Sequence, residues 1–488
     1  VLPLLQSGCV EVHIVFDDPE RNGPSPKNIE RNRRDSVLDC NNLATFDSVS
    51  DTTCTPKDWR MFLSLRSNKR LLCSYLCNSL LLVSRQFLSQ PQKVFTAGAF
   101  IDDKRDMCFV SSVDGISPYP DCRSNHEESD TRVWLHAASS RYENIMIYSP
   151  DTDTYHVGLP LVRQMGKRIV ILLKAEPGNW QCLDVNELLS CFDKDPDLSS
   201  LSINLRPHVI QSLFICTGCD YVSFFVGLGK VSFLKVFFQY SEFISSGNAA
   251  QTCGSLSCAE KDTGFLAFVR LVGSAYFQKH RSAFIQYSSP VHLFREAKGE
   301  NAYNCHKNWL QTIRGAIFER IQFEDNSLPS FQSLWFHWLR SCWVYLTWAQ
   351  SLEQDFSSVL LDRCGWELKN GDVKIIWDSK ENIEKVQKTV EFLTRGCKCK
   401  SGCTNKRCKC LKKDQVCGPG CRCLDCSNSF PTDSIQDIHD SDTDSSDSDT
   451  SSEDFNFEID YHDENLPQPN GNSDLEDSEL NWSFEDDE

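Results

Sequence analysis

Nine cysteines fall within thirty residues, in the pattern Cys397-x-Cys399-x3-Cys403-x4-Cys408-x-Cys410-x6-Cys417-x3-Cys421-x-Cys423-x2-Cys426. The stretch has almost no apolar side chains, so hydrophobic burial cannot fold it, and covalent or metal staples must supply the stability. Disulfides would leave one cysteine over and would be reduced inside a cell, whereas a structural zinc takes four thiolates in tetrahedral geometry. Nine thiolates fit two zinc ions with one spare, or three ions if thiolates bridge. In the second count the cluster is formally negative, and nine Lys and Arg against two Asp between Arg395 and Cys426 compensate it.

A second constellation is made of carboxylates. Asp17 follows the apolar run VHIVF, Asp151 and Asp153 follow NIMIYSP, and Asp220 follows SLFICTGC, each read as the end of a strand; Glu127, Glu128 and Asp130 open a helical segment. Ligand sites of open α/β sheets lie beyond the carboxyl ends of their strands, so such side chains can converge. Convergent carboxylates repel unless a cation neutralises them, which points to Mg²⁺ or Mn²⁺. Taken singly, an Asp at a strand end is more often a turn former or a helix cap. The ordered set says more than its members.

The elements that must position these groups alternate between strand and helix. Val10 to Phe16 reads as a strand, followed by a Pro/Gly break and a basic stretch with Lys27, Arg31, Arg33 and Arg34. Asn144 to Ser149 and Arg168 to Leu173 are further short strands, and Val133 to Ser140 is helical. The expected architecture over residues 1–245 is α/β with a mainly parallel sheet. A Gly/Ser/Asn/Ala-rich stretch from Ser245 to Gly254 marks a boundary, and residues 246–395 read as mainly helical, with Leu334, Trp338, Cys342, Tyr345 and Trp348 on one core-facing stripe. Gly365 to Trp377 reads as a hairpin turning at Asn370-Gly371, and Ile383 to Phe392 as a helix leading into the cysteine module at 396–428.

The 488 residues carry a formal charge of −18, but residues 429–488 hold 21 Asp and Glu with no Lys or Arg, so the remainder is close to neutral at +3. That tail, a near-repeat of Ser and Asp from Asp437 to Asp454, is too polar to fold alone and is expected to be disordered. It is a candidate competitor for the basic cluster or for basic partners, and Ser445, Ser446 and Ser448 would add charge if phosphorylated. The most apolar run, Leu71 to Val83, is broken by Ser74, Asn78 and Ser79 and is too short to span a bilayer, so no membrane segment is expected. The sixteen scattered cysteines read as reduced, mostly buried thiols.

The cysteine spacing resembles the Tesmin/TSO1-like CXC domain, whose members hold three zinc ions with nine cysteines and bind DNA. The resemblance implies that Lys400, Lys406, Arg407 and Lys409 face phosphates or the minor groove. No Tyr lies between Cys397 and Cys426, so the tyrosine insertion of some members is not carried over. The bland alternative is a structural or protein-binding cluster, of the kind seen before histone-methylating domains.

The ordered carboxylates resemble the flap-endonuclease branch of the PIN-like nucleases over Val10 to Lys235. VFDDPERNGPSPKNIERNRR is similar to a carboxylate strand and its basic segment, EESD to a paired-acid helix start, SPDTDT to a paired-aspartate strand, and GCDYVSFFVGLGK to the last metal aspartate before a Gly-x-Gly turn. The resemblance implies metal roles for Asp17, Glu128, Asp130, Asp151, Asp153 and Asp220, phosphate contacts for Lys27, Arg31 and Arg34, and backbone N–H contacts to nucleic acid at Gly227, Gly229 and Lys230. It also implies an earlier strand bearing a further carboxylate, and hence an N-terminal portion ahead of Val1. HEESDTR, SPDTD, TGCD, GWELKNG and the terminal cluster together resemble a group of animal proteins associated with mobile elements. The expectation is a nuclear, mobile-element-derived DNA-binding protein with a metal-dependent nuclease domain, RNA remaining open as substrate. The competing class is a non-enzymatic DNA-binding or chromatin-associated protein that keeps a degenerate nuclease fold.

Overall fold

The structure, a computed structural model, describes residues 1–18, 24–37, 46–176, 179–245, 258–318, 328–357, 359–394, 396–413, 416–417 and 421–428. The chain divides into two compact units, Val1–Thr389 and Val390–Glu488. The first is mixed α/β.

Its strands form two small sheets and a hairpin. In the first sheet β1 (Glu11–Val15) runs parallel to β2 (Lys93–Ala97), which pairs antiparallel with β3 (Cys108–Ser112), and β3 with β4 (Gly115–Pro118). In the second, β5 (Asn144–Tyr148) runs parallel to β6 (Arg168–Glu176), and β6 antiparallel to β7 (Asn179–Asp184). The expected mainly parallel sheet is therefore not what forms. A parallel partner needs a crossover of a dozen or more residues, and the connections from β3 to β4 and from β6 to β7 are two residues long, which permits only hairpins. The two parallel pairs are the ones bridged by helical segments.

The helices that matter for the site are α1 (Lys27–Val37), α2 (Arg66–Ser84), α3 (Ser129–Ser139), α4 (Thr152–Gly158), α5 (Arg206–Cys216) and α6 (Lys230–Gln239). Helix α5 corrects the strand expected before Asp220. All its residues except His208 are buried, so it shows no amphipathic period, and a short run that is apolar on every side does not distinguish strand from helix. Pro207 in its first turn favours the helical start. The broken apolar run at Leu71 is helix α2, and among the described residues no helix is long and apolar enough to cross a membrane.

One large core joins the two regions that composition separated at residue 245. Trp134 of α3, Ile147 of β5, Ile169 and Ile171 of β6 and Val209 of α5 pack in the same cluster as Phe265 and Val272 of α7 (Cys258–Lys279), Trp309 of α8 (Ala302–Phe318) and Trp338 of α9 (Phe331–Ala349). The helical segment thus completes this core. The expected stripe on α9 faces inward: Leu334, Trp338, Cys342 and Trp348 are buried, and Tyr345 is partly buried. The hairpin forms as β8 (Trp366–Lys369) and β9 (Asp372–Ile375), with positive φ at Asn370 and Gly371 as a type I′ turn requires.

Two glycines mark close approaches that set the site. At the end of β2, Gly98 has φ +94°, and a Cβ there would sit 1.9 Å from the Phe16 carbonyl oxygen, next to Asp17. At the end of α4, a Cβ on Gly158 would lie 1.8 Å from the Trp134 ring. Helices α3 and α4 can pack this tightly only because that Cβ is absent.

Candidate functional site

The six carboxylates expected to act together interact electrostatically and through shared partners, although no three of them place oxygens within 4.8 Å of one another. Asp17 follows β1, and its carboxylate accepts hydrogen bonds from the Ser129 backbone N–H (3.0 Å) and hydroxyl (2.6 Å) at the start of α3. Asp130, one residue further, accepts from the Thr154 hydroxyl at 2.5 Å. Thr154 sits in α4, whose N-cap is Asp151; the Asp151 side chain accepts from the Asp153 N–H at 3.0 Å. The Trp134 indole N–H closes the α3–α4 contact by donating to the Thr154 carbonyl at 2.9 Å. Asp220 arrives from the turn after α5 and is bridged to Glu128 by the Lys27 ammonium, at 2.5 Å and 2.8 Å respectively.

The electrostatics report the crowding. Burial raises Glu128 to about 7, with Asp17 adding repulsion against the pull of Lys27 and Arg31. Burial raises Asp130 to about 6, and Asp151 and Asp17 push the same way. Burial raises Asp153 to about 7, reinforced by Asp151, Asp220 and Asp130. Asp17 moves down: burial opposes ionisation, but the Ser129 hydrogen bonds and the charges of Lys69 and Lys27 outweigh it. Burial, reinforced by repulsion among the acids, thus raises three carboxyls toward neutral pH.

The adjacent acids Glu127 and Glu128 point to different partners. Glu128 faces the cluster, while Glu127 turns to Arg31 and accepts from the Ser25 hydroxyl at 2.8 Å. Lys27 and Arg31 are mostly buried against the acids, whereas Arg33 on the same helix is exposed. Arg31 also reaches Glu128 at 2.7 Å. Burial disfavours the Lys27 charge, yet Glu128 and Asp220 hold it well above the ordinary lysine range. Helix α1 is seated by Ile29, which packs against the Leu361, Cys364 and Trp366 cluster beside the β8–β9 hairpin. Arg34 lies in α1, but its side chain is outside the described residues.

The Gly-x-Gly turn follows Asp220. Gly227 has φ +67°, and Gly229 caps α6, whose first residue is Lys230. The Lys230 ammonium donates to the carbonyls of Phe214 (2.8 Å) and Gly218 and lies 3.5 Å from the Phe214 ring centroid, so that side chain braces the turn. His126 is structural: its Nε2 lies 2.7 Å from the Glu353 carbonyl oxygen, and its ring packs on Phe356.

Sequence reasoning missed Ser129, Thr154 and Lys69. The first two lie inside the acidic motifs themselves, where a hydroxyl beside a carboxylate was the available signal. Lys69, 3.6 Å from Asp17, comes from α2 and left none. Lys69 and Arg70 line a cleft with Asp17 and Asp18.

In the second unit, five of the nine cysteines are buried and four partly so, whereas Lys400, Lys406, Arg407 and Lys409 are exposed. Sulfur–sulfur distances run from 3.6 Å (Cys397–Cys403, Cys410–Cys421) through 3.7 Å (Cys397–Cys423) and 3.8 Å (Cys408–Cys417) to 4.0 Å (Cys397–Cys417). A disulfide needs about 2.05 Å. A tetrahedron of sulfurs about 2.3 Å from a central ion has edges of about 3.8 Å. Three overlapping sets of four sulfurs meet the geometry of an ion site: Cys397, Cys403, Cys408 and Cys417; Cys397, Cys410, Cys417 and Cys421; Cys403, Cys417, Cys423 and Cys426. Cys399 is in none of them but packs against the cluster. Backbone N–H groups donate to Cys421 (3.3 Å, from Cys397) and Cys426 (3.4 Å, from Asn428), as thiolate ligands require. The cysteine cluster can hold metal ions. The acidic tail lies outside the described residues.

No protein-family model matches the chain. No curated protein matches it either.

Proposed function

We propose that the chain is a nucleic-acid-binding protein with a PIN-like, divalent-cation-dependent phosphodiesterase site and a CXC-type cluster of three zinc ions that contacts DNA. The observation carrying this reading is the meeting of Asp17, Glu128, Asp130, Asp151, Asp153 and Asp220, from four remote segments, in a space where three of them are driven to keep protons. Such a donor set suits a hard divalent cation, which replaces those protons. Mg²⁺ or Mn²⁺ bound there supplies Lewis acidity to a phosphoryl oxygen and a more acidic water. The chain's own residues do the rest. Ser129 and Thr154 aim Asp17 and Asp130, and Asp151 fixes the start of α4 and with it Asp153. Lys27, paired with Glu128 and Asp220, would be free to turn its charge to the scissile phosphate if those carboxylates held a cation. Lys69 and Arg70, in the cleft beside Asp17, steer the polyanion.

In the cluster, thiolates outnumber the charge of three zinc ions, and Lys400, Lys406, Arg407 and Lys409 are exposed outside it. Cations arranged around a rigid metal core suit phosphate contacts in the nucleus.

The test is incubation of the full-length protein with flap, hairpin and single-stranded DNA, and the matching RNAs, in Mg²⁺ or Mn²⁺. Cleavage that falls at least about a hundredfold in Asp153→Asn supports the site, on the scale at which damaged metal shells lose activity. No cleavage with either metal favours the second reading, a nucleic-acid-binding scaffold that keeps the fold without catalysis. That reading has its own observation: Lys27 and Arg31 already act as internal cations for Glu127, Glu128 and Asp220, and the carboxylates do not figure among the sets of three ligand atoms within 4.8 Å of one another.

A further inference from the structure

A second buried cluster of metal-ligating side chains lies in the small sheet, apart from both sites above. His13 on β1, Cys122 at the end of the single turn Pro120–Cys122, and His136 on α3 each place one ligand atom within 4.8 Å of the others. The two imidazoles meet nitrogen to nitrogen, His13 Nδ1 being 2.9 Å from His136 Nδ1. The Cys122 thiol interacts with both rings and with the thiol of Cys108, on β3. Cys108 and Cys122 are fully buried and His136 is 2% exposed.

We propose that His13, His136 and Cys122, with Cys108 as the fourth ligand, form a structural zinc site. The bland alternative is a hydrogen-bonded core polar cluster, and three observations weigh against it. A buried pair of imidazole nitrogens facing each other satisfies both atoms only by sharing one proton, and His136 Nε2 has no hydrogen-bond partner at all. Two nitrogens and one sulfur lie within 4.8 Å of one another, and the thiol of Cys108 interacts with that of Cys122, which together make a donor set that selects tetrahedral zinc; the ring nitrogens would need to stand about 3.3 Å apart, a shift of a few tenths of an ångström. His13 also turns its Nδ1 into the cluster, while its Nε2, which makes no hydrogen bond, faces Glu11 Oε2 at 3.6 Å. Glu11 is held in turn by the Ser140 hydroxyl at 2.7 Å, and the His13 ring is stacked on Phe95 at 4.0 Å.

The charges close as well. On binding, each cysteine gives up its thiol proton to solvent, and two thiolates with two neutral imidazoles balance the ion's double positive charge, so the filled site is neutral and suits a dry interior. The site would staple β1, β3 and α3 together. Those are the elements that lead into Asp17, Glu128 and Asp130, but the proposal does not depend on catalysis there.

The experiment counts zinc, by native mass spectrometry in excess Mg²⁺, on the full-length chain with all nine cysteines from Cys397 to Cys426 replaced by serine. One ion per chain is expected, and cobalt substituted for it should show thiolate-to-cobalt charge transfer. Adding Cys122→Ser and His136→Asn should bring the count to zero. A nine-serine chain without zinc, or an ion that survives the added changes, overturns the proposal. If the nine-serine chain does not fold, the comparison moves to the otherwise native chain: Cys122→Ser should remove one ion, and an unchanged count overturns the proposal.

Discussion

The carboxylate site and the cysteine cluster are both gatherings of anions, yet they are held together in opposite ways. In the first unit a large core of tryptophan, phenylalanine and aliphatic side chains fixes the elements, and the carboxylates tolerate one another through Lys27, Arg31 and retained protons. In the second, the clustered residues are the cysteines themselves with Leu411, so among the described residues no other apolar core does the holding. A fold can therefore impose a charged site on itself at some cost in stability, or depend on the ion for its existence. The first unit does the former, and the proposed zinc cluster would do the latter.

The contrast should break most visibly under chelation. Structural zinc contributes on the order of 10–16 kcal/mol in small domains. Stripping metal from the full-length protein should therefore expose the nine cluster thiols together to a thiol reagent, while the first unit keeps a cooperative melt. Tryptophan fluorescence reads that melt, since ten of the eleven tryptophans precede residue 390. Loss of both signals together would show that the two regions do not differ as described.

A smaller effect separates the regions by pH. Glu128, Asp130 and Asp153 have folded values of about 7, 6 and 7 against ordinary values of 4.5, 3.8 and 3.8. The folded chain then binds more protons than the unfolded one between about pH 4 and pH 7, so these groups lower stability as pH rises through that window. With zinc retained and no other divalent ion, the fluorescence melt should fall between pH 5 and pH 8. Added Mg²⁺ or Mn²⁺ should restore it mainly at the upper end. A melt that Mg²⁺ shifts equally at both pH values would argue against cation-for-proton exchange.

The smallest effect concerns the exposed cations of the cluster. Lys406→Ala with Arg407→Ala should lower the slope of log affinity for DNA against log salt by about 1 to 2, since each phosphate contact contributes about 0.9. The zinc count should not change. An unaltered slope would mean that these side chains serve only to balance thiolate charge.

How much of this was legible in the sequence follows from how local each feature is. The cysteine spacing is itself the site, because thirty residues with nine ligands have few other ways to fold. The carboxylates were legible as positions after apolar runs, but their pairing was not. Lys27 reaches Glu128 and Asp220 because Ile29 seats α1 against the β8–β9 region, and that contact links residues hundreds of positions apart. The segment before Asp220 reads equally well as a buried strand or a buried helix, and α5 is the latter. Sheet direction was missed where two-residue connections enforce hairpins. The boundary drawn at residue 245 followed composition, whereas Trp134 and Trp338 share one core across it. His13, Cys108, Cys122 and His136 are unremarkable in sequence, since only folding brings them together.

The claim on which most depends is that the carboxylates form a cation site. Manganese uptake by the zinc-replete, full-length protein at pH 7.5, followed by the paramagnetic resonance of free Mn²⁺, tests it most directly. Saturable binding that is lost in Asp130→Asn with Asp153→Asn, and strengthened when Lys27→Ala removes the internal competitor, is the predicted result. Absence of uptake by the wild-type chain and by Lys27→Ala alike would contradict it.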